Sequence, residues 1–260
     1  MRETPGSIWG IMISRHCNVV LGSFVLASIV SVPAMAKTID WCGYTWQVRD
    51  GGGGPGPNTW SADNVSIDAQ KRLHLKIAKR DGKWSCAELT MTKALGFGRY
   101  EFDADNPILN WDNNVVFGLF NYPTADVGPD GTNEIDIEFA TWGGAQNSVG
   151  NWTVWPPSTR VKGTTHPVPL SGAVVGTVNT FDWTDHSISF YLKPILGSGT
   201  GIPDKPRDWE FTPDDFADRI PQHPLPVHMN LWLFNGKPPT DDKDVEIVVS
   251  GFKFTSQGGA

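Results

Sequence analysis

Residues 132–142 read TNEIDIEFATW, with an acid at every second position: Glu134, Asp136 and Glu138. Ile135, Ile137 and Phe139 fill the positions between them. Carboxyl groups crowded onto one face can do acid–base and nucleophilic chemistry. Their mutual repulsion keeps a proton on one while another stays ionised. In an extended chain, four residues at about 3.3 Å each set the Cα atoms of Glu134 and Glu138 about 13 Å apart. If each glutamate arm leans inward by roughly 4 Å, the carboxylates come to about 5 Å, the separation that double displacement at a sugar carbon requires. Asp136, one carbon shorter, fits between them without filling the site. The alternatives are a solvated acidic strand face and a calcium site built from oxygens.

Such a row needs a strand to carry it. Alternate side chains of a strand point to opposite faces, so the three acids share one face and Ile135, Ile137 and Phe139 the other. The rest of the chain has the same character. Short alternating stretches bounded by Gly, Pro, Asn and Asp recur at 73–79, 87–93, 98–104, 114–120, 151–155, 186–193, 227–234 and 245–254. Their number, without βαβ spacing, predicts an all-β antiparallel sandwich or barrel. The one helix candidate is TPDDFADRI, with Thr212 as N-cap and Pro213 in the first turn. The segment DGGGGPGPN (50–58) is too glycine-rich to be expected to hold a fixed strand.

The chain has 260 residues. Residues 19–32 are an apolar run behind Arg15 and His16, followed by Ala34-Met35-Ala36. That pattern predicts a signal peptide over 1–36 and a single catalytic domain over 37–260, secreted or periplasmic, with no membrane contact after cleavage. The run is short for a span of about 20 residues. Losing the leader removes two arginines and one glutamate, which moves the formal charge from -7 to -8. An acidic chain with no basic cluster is not expected to bind nucleic acid. Cys17 leaves with the leader; Cys42 and Cys86 remain, and in an exported protein they suggest one disulfide. The alternative is two separate buried thiols. Twelve tryptophans are many for this length. Trp46, Trp60 and Trp183 read as core. Trp111, Trp142, Trp152, Trp155 and Trp232 adjoin amide-rich strands and read as sugar platforms, with core as the alternative for each.

The stretch EIDIEF resembles the active-site strand of glycoside hydrolase family 16, above all the lichenases (endo-β-1,3-1,4-glucanases). The likeness extends through NTWSADNVSIDAQKRLHLKI (58–77), CAELTMTKALGFGRYEF (86–102), NTFDWTDHSISFYL (179–192) and HMNLWLFNG (228–236), in the family's order. It implies a jelly roll of two curved antiparallel sheets and a retaining endo-β-glucanase acting on β-1,3-1,4- or β-1,3-glucan. By that resemblance Glu134 is the nucleophile, Glu138 the general acid/base, and Asp136 orients the nucleophile. Glu88, Tyr122, Asn151, Asn230 and Trp232 match cleft positions, and Trp142 and Trp152 join them as aromatic candidates. No cofactor is required for catalysis. A structural calcium ion is plausible, with Asp242 and Asp244 as possible ligands, and a monomer is expected. A transglycosylase of the same family and a non-catalytic carbohydrate-binding module are the other readings. Four departures stand out, one of them WGGAQNSVGN (142–151), which is not the family's usual linker. Thr132-Asn133 replaces Trp-Asp before the first glutamate, Thr90 replaces an arginine two residues after Glu88, and NTW (58–60) lacks the family's second cysteine. By the resemblance, a disulfide would therefore have to join Cys42 to Cys86.

Overall fold

Period-two alternation gives nearly every strand one apolar face, and that face must be covered by another layer. The computed structural model describes residues 37–105, 112–145, 148–170, 174–197 and 205–258. The expected leader and Trp111 lie outside the described residues. In chain order the strands are β1 (Thr38–Trp41), β2 (Tyr44–Val48), β3 (Gly51–Gly53), β4 (Asn58–Trp60), β5 (Val65–Ile67), β6 (Leu73–Arg80), β7 (Lys83–Ser85), β8 (Ala87–Leu95) and β9 (Gly98–Ala104). They continue as β10 (Val115–Asn121), β11 (Glu134–Phe139), β12 (Gly150–Trp155), β13 (Thr164–Val168), β14 (Val174–Trp183), β15 (Ile188–Leu196), β16 (Arg207–Phe211), β17 (Leu225–Leu233) and β18 (Val245–Ser256).

Two large antiparallel sheets result. The first has the order β1-β2-β8-β17-β10-β11-β12-β13, the second β16-β15-β14-β9-β18-β6-β5. They pack face to face as the jelly-roll sandwich that the strand count predicted. Core aromatics join the layers: Trp46 meets Phe252 edge-on at 5.7 Å between ring centroids, and Trp152 stacks on Phe190 at 5.4 Å. Trp46, Trp60 and Trp183 are buried, as their strand contexts suggested. On β11, Ile135, Ile137 and Phe139 all face this core. Their burial contributes roughly 1.5–3 kcal/mol apiece and anchors the strand that carries the acids on its other side.

Three expectations need correction. The glycine segment does hold a strand: Gly51–Gly53 pairs with Asn58–Trp60 as a small ribbon. Gly51 and Gly53 lie at φ +102 and +136, which side chains other than hydrogen rarely tolerate, and a Cβ on Gly53 would stand 2.9 Å from Arg49 Nη2. Asn58 ties the ribbon down by donating to Pro55 O at 2.8 Å and Leu233 O at 2.9 Å. The helix is one turn, Phe216–Arg219, with Asp215 rather than Thr212 at its N-cap position.

The disulfide is absent: Cys42 and Cys86 are both free. Cys42 (φ 51) and Gly43 (φ 80) form the tight turn between β1 and β2. The β2–β8 ladder pairs Trp46 with Met91 and Val48 with Leu89, so the turn points toward the far end of β8, away from Cys86. A bridge needs Cα atoms within about 7 Å. Cys86 is instead buried, its thiol donating to Asn58 Oδ1 at 3.4 Å. Burial pushes that thiol's pKa up to about 12.

Candidate active site

The register of the first sheet decides which side chains meet. β11 lies between β10 and β12, with Glu138 opposite Gly118 on one side and Asn151 on the other. Asp136 lies between Phe120 and Thr153, and Glu134 is level with Trp155. One strand further, Gly118 pairs with Asn230 on β17, and Asn230 with Glu88 on β8. The face turned away from the core therefore collects Glu88, Asn230, Trp232, Phe120, the three acids, Asn151 and Trp155. A cleft of roughly 580 Å³ opens over it, lined by Glu134, Asp136, Glu138, Glu88, Tyr122, Asn230 and Trp232, among others. The ribbon tip, Gly54 and Pro55, forms part of the rim.

Gly118 is required here. A Cβ at this position would stand 2.6 Å from Asn230 Oδ1. Its missing side chain lets the asparagine lie across the floor beside Glu138. Three buried oxygens on this face, Asn230 Oδ1, Asp136 Oδ1 and Asn151 Oδ1, receive no hydrogen bond from an N–H or O–H donor of the described residues. Asn151 donates from Nδ2 to Ala140 O at 3.3 Å.

Burial pushes all three acids upward. Glu134 rises to about 8, chiefly by burial, with the charges of Glu138 and Asp130 adding to it and a hydrogen bond from Asp136 opposing. Asp136 is held well above the ordinary carboxylate range by burial and by Glu134, against a hydrogen bond from Trp155. Glu138 is likewise raised well above it, by burial and then by Asp136. The physical content is one shared shortage: three acids and few donors. Two facing carboxylates can share a hydrogen bond only if one keeps its proton.

The other wall neutralises its charge. Glu88 Oε2 pairs with Arg49 Nη1 at 2.9 Å, and Oε1 lies 3.7 Å from His228 Nδ1. Arg49 also lies over the Trp60 ring, 4.4 Å from its centroid. Thr90 Oγ1, at the position where the resemblance calls for arginine, sits 3.0 Å from His228 Nδ1. The guanidinium thus reaches Glu88 from the loop after β2 instead. Tyr122 donates its hydroxyl to Asp130 Oδ1 at 2.6 Å, and burial raises its pKa.

Most of the site residues expected from sequence meet at this cleft; Trp152 does not. Its register partner is Ile137, so it faces the core, stacked between His166 at 6.0 Å and Phe190 at 5.4 Å. Trp142 stands one step behind the rim, 6.3 Å from the Trp232 ring and 5.6 Å from that of Phe234. Sequence reasoning missed Arg49, Phe120, Asp130 and His228 as lining residues. His228 was detectable, because it shares strand parity with Asn230 and Trp232; Arg49 carries no local signal. Thr132 and Asn133 are buried and serve the backbone: Thr132 Oγ1 donates to Pro129 O at 2.7 Å, and Asn133 enters β11 at φ 50 with its amide on Pro156 O at 2.9 Å.

Among the described residues no three His, Cys, Asp or Glu side chains converge as metal ligands. Asp242 binds Lys79 Nζ through both oxygens, at 2.8 and 2.9 Å, and Asp244 Oδ1 accepts the Lys79 amide at 3.0 Å. With both acids committed to Lys79, this pair does not fit a calcium ion.

No protein-family model matches the chain, and no curated protein matches it. Solved structures do. A β-glucanase of Bacillus licheniformis superposes with a TM-score of 0.59 at 22% identity, over 82% of this chain and 92% of that one. A laminarinase from a Flavobacterium species gives 0.59 at 16% identity, over 80% and 92%. A family 16 endo-glucanase of Bacteroides ovatus, in complex with G4G3G-2F-DNP, gives 0.60 at 13% identity, over 81% and 94%. At these identities the likeness establishes a common jelly-roll fold across most of each chain.

Proposed function

We propose that the chain is a secreted, retaining endo-β-glucanase that hydrolyses β-1,3-1,4- or β-1,3-glucan by double displacement. The observation that carries this reading is the row Glu134, Asp136 and Glu138 across the floor of an aromatic-rimmed cleft, in a fold shared with proteins described as a β-glucanase and a laminarinase. Glu138, which burial keeps protonated, gives its proton to the glycosidic oxygen. Glu134 attacks the anomeric carbon as that bond breaks, forming a glycosyl-enzyme ester. Glu138, now ionised, takes a proton from water, and the resulting attack releases the sugar and restores both acids. Asp136 supplies the hydrogen bond that lets Glu134 carry charge in a buried row. No step calls for a cofactor.

The cleft fits the substrate class. Trp232, Phe120 and Tyr122 offer aromatic faces for the C–H sides of pyranose rings, while Asn230 and the Arg49–Glu88 pair offer polar groups for hydroxyls.

The test is product analysis by mass and linkage on barley β-glucan, laminarin and xyloglucan, with Glu134→Gln beside the native protein. Short oligosaccharides from one glucan, absent with the variant, support the hydrolase and identify its linkage. Disproportionated longer chains would make it a transglycosylase. Equal binding by both proteins without cleavage would make it a binding module.

A further inference from the structure

Trp155 ends β12, level with Glu134, and its side chain lines the cleft. An aromatic ring there would ordinarily serve as a sugar platform. Its polar edge has a different destination. Indole Nε1 donates to Asp136 Oδ2 at 2.8 Å. The other oxygen, Oδ1, is buried without a donor from the protein. An indole nitrogen can only donate, so Oδ2 is the acceptor oxygen of Asp136. A proton held by Asp136 then belongs on Oδ1, and the hydrogen bond that lowers Glu134 while raising Asp136 is assigned to that proton.

We propose that Trp155 is a positioning residue: by occupying Asp136 Oδ2 as an acceptor, it keeps the Asp136 proton on Oδ1, where it hydrogen-bonds to Glu134 and allows that carboxylate to ionise. This rests on the glucanase reading given above. Without the indole N–H the two oxygens of Asp136 become equivalent. The proton can move to Oδ2, or the carboxyl can turn, and Glu134 then meets a lone pair instead of an O–H. Two facing lone pairs disfavour the ionised glutamate. The other ionisable groups around the pair are Glu138 on the same strand, Asp130 in the preceding loop and Tyr122 beyond β10, with Glu88, His228 and Arg49 on the far wall. The nearest of these are acids, which makes the direction of the Asp136 proton decisive for Glu134.

Trp155→Phe keeps a ring in the cleft and removes the N–H. On the glucan that the native protein cleaves, kcat/KM should fall about 10-fold with KM little changed. The acidic limb of the kcat/KM profile should move up by about one pH unit, because Glu134 would ionise later. A raised KM with the limb in its native place would make Trp155 a sugar platform and overturn the proposal. An unchanged profile would do the same. Circular dichroism melting shows whether the variant folds. If it does not, Asp136→Asn decides. Its amide oxygen accepts the indole while its N–H faces Glu134, and it has no proton to move between oxygens. The acidic limb should then keep its native position, however far kcat falls; a limb displaced upward refutes the proton-bearing role. A native protein that cleaves no glucan refutes the functional reading first, and this proposal with it.

Discussion

The wall of the cleft built by β11 and β12 holds Glu134, Asp136 and Glu138 with the Trp155 indole donating to Asp136, whereas the wall built by β8 and β17 pairs Glu88 with Arg49 and sets His228 beside it. Both walls are acidic and largely buried. On one, burial raises the pKa of every carboxyl; on the other, a guanidinium supplies the missing charge. The contrast separates two uses of a carboxylate. Where protons are to be moved, the row is kept short of cations. On the other wall a guanidinium lies against the carboxylate, 2.9 Å from it.

The largest expected effects fall on the cation-poor wall. Glu134→Gln and Glu138→Gln should each lower kcat by about 1,000-fold or more while glucan still binds, measured by turnover and by affinity electrophoresis. A 2-fluoro glycoside of the cleaved glucan should leave a covalent adduct on a peptide containing Glu134. An adduct elsewhere would break the assignment.

The next effect lies on the face of β12 opposite the site. Trp152→Ala should cost about 3–5 kcal/mol in denaturant unfolding, since the ring is stacked in the core. The fraction that remains folded should keep its KM, which would separate core from cleft on a single strand.

The pH dependence of stability sharpens the comparison further. Glu134 titrates at about 8 in the folded chain against an ordinary 4.5. A raised carboxyl binds its proton more tightly in the folded state. Its contribution is therefore fully present below pH 4.5 and is lost as pH rises through about 8. The native melting temperature should fall relative to that of Glu134→Gln across this window, by on the order of 10 °C. Parallel curves for the two proteins would mean that Glu134 is not raised.

On the paired wall the effects are smaller. Arg49→Met should raise KM roughly 5- to 10-fold at nearly constant kcat, with about 1 kcal/mol lost from a partly exposed pair. Trp142→Ala, one ring behind Trp232, should change KM by about 2-fold or less. A collapse of kcat in Arg49→Met would bring the two walls back into one unit.

The strands were legible because alternation is local: 98–104 and 245–254 correspond to β9 and β18 nearly residue for residue. The acid row was legible for the same reason, since parity alone puts Glu134, Asp136 and Glu138 on one face. Parity also shows that Trp152 shares its face with Val154 and not with Asn151; that reading failed because residue type was weighed above strand position. Arg49 and the glycine ribbon were not legible. Each takes its role from partners distant in sequence: Glu88 for Arg49, Leu233 O for Asn58. The Cys42–Cys86 pairing failed likewise, because composition counts thiols but does not place them.

That failure bears on how the protein can be made and handled. A sandwich whose two described thiols are free, one buried and one on an exposed turn, does not depend on an oxidising compartment to close. Reductant should leave its melting curve unchanged. The fold is complete without a cross-link between its described strands.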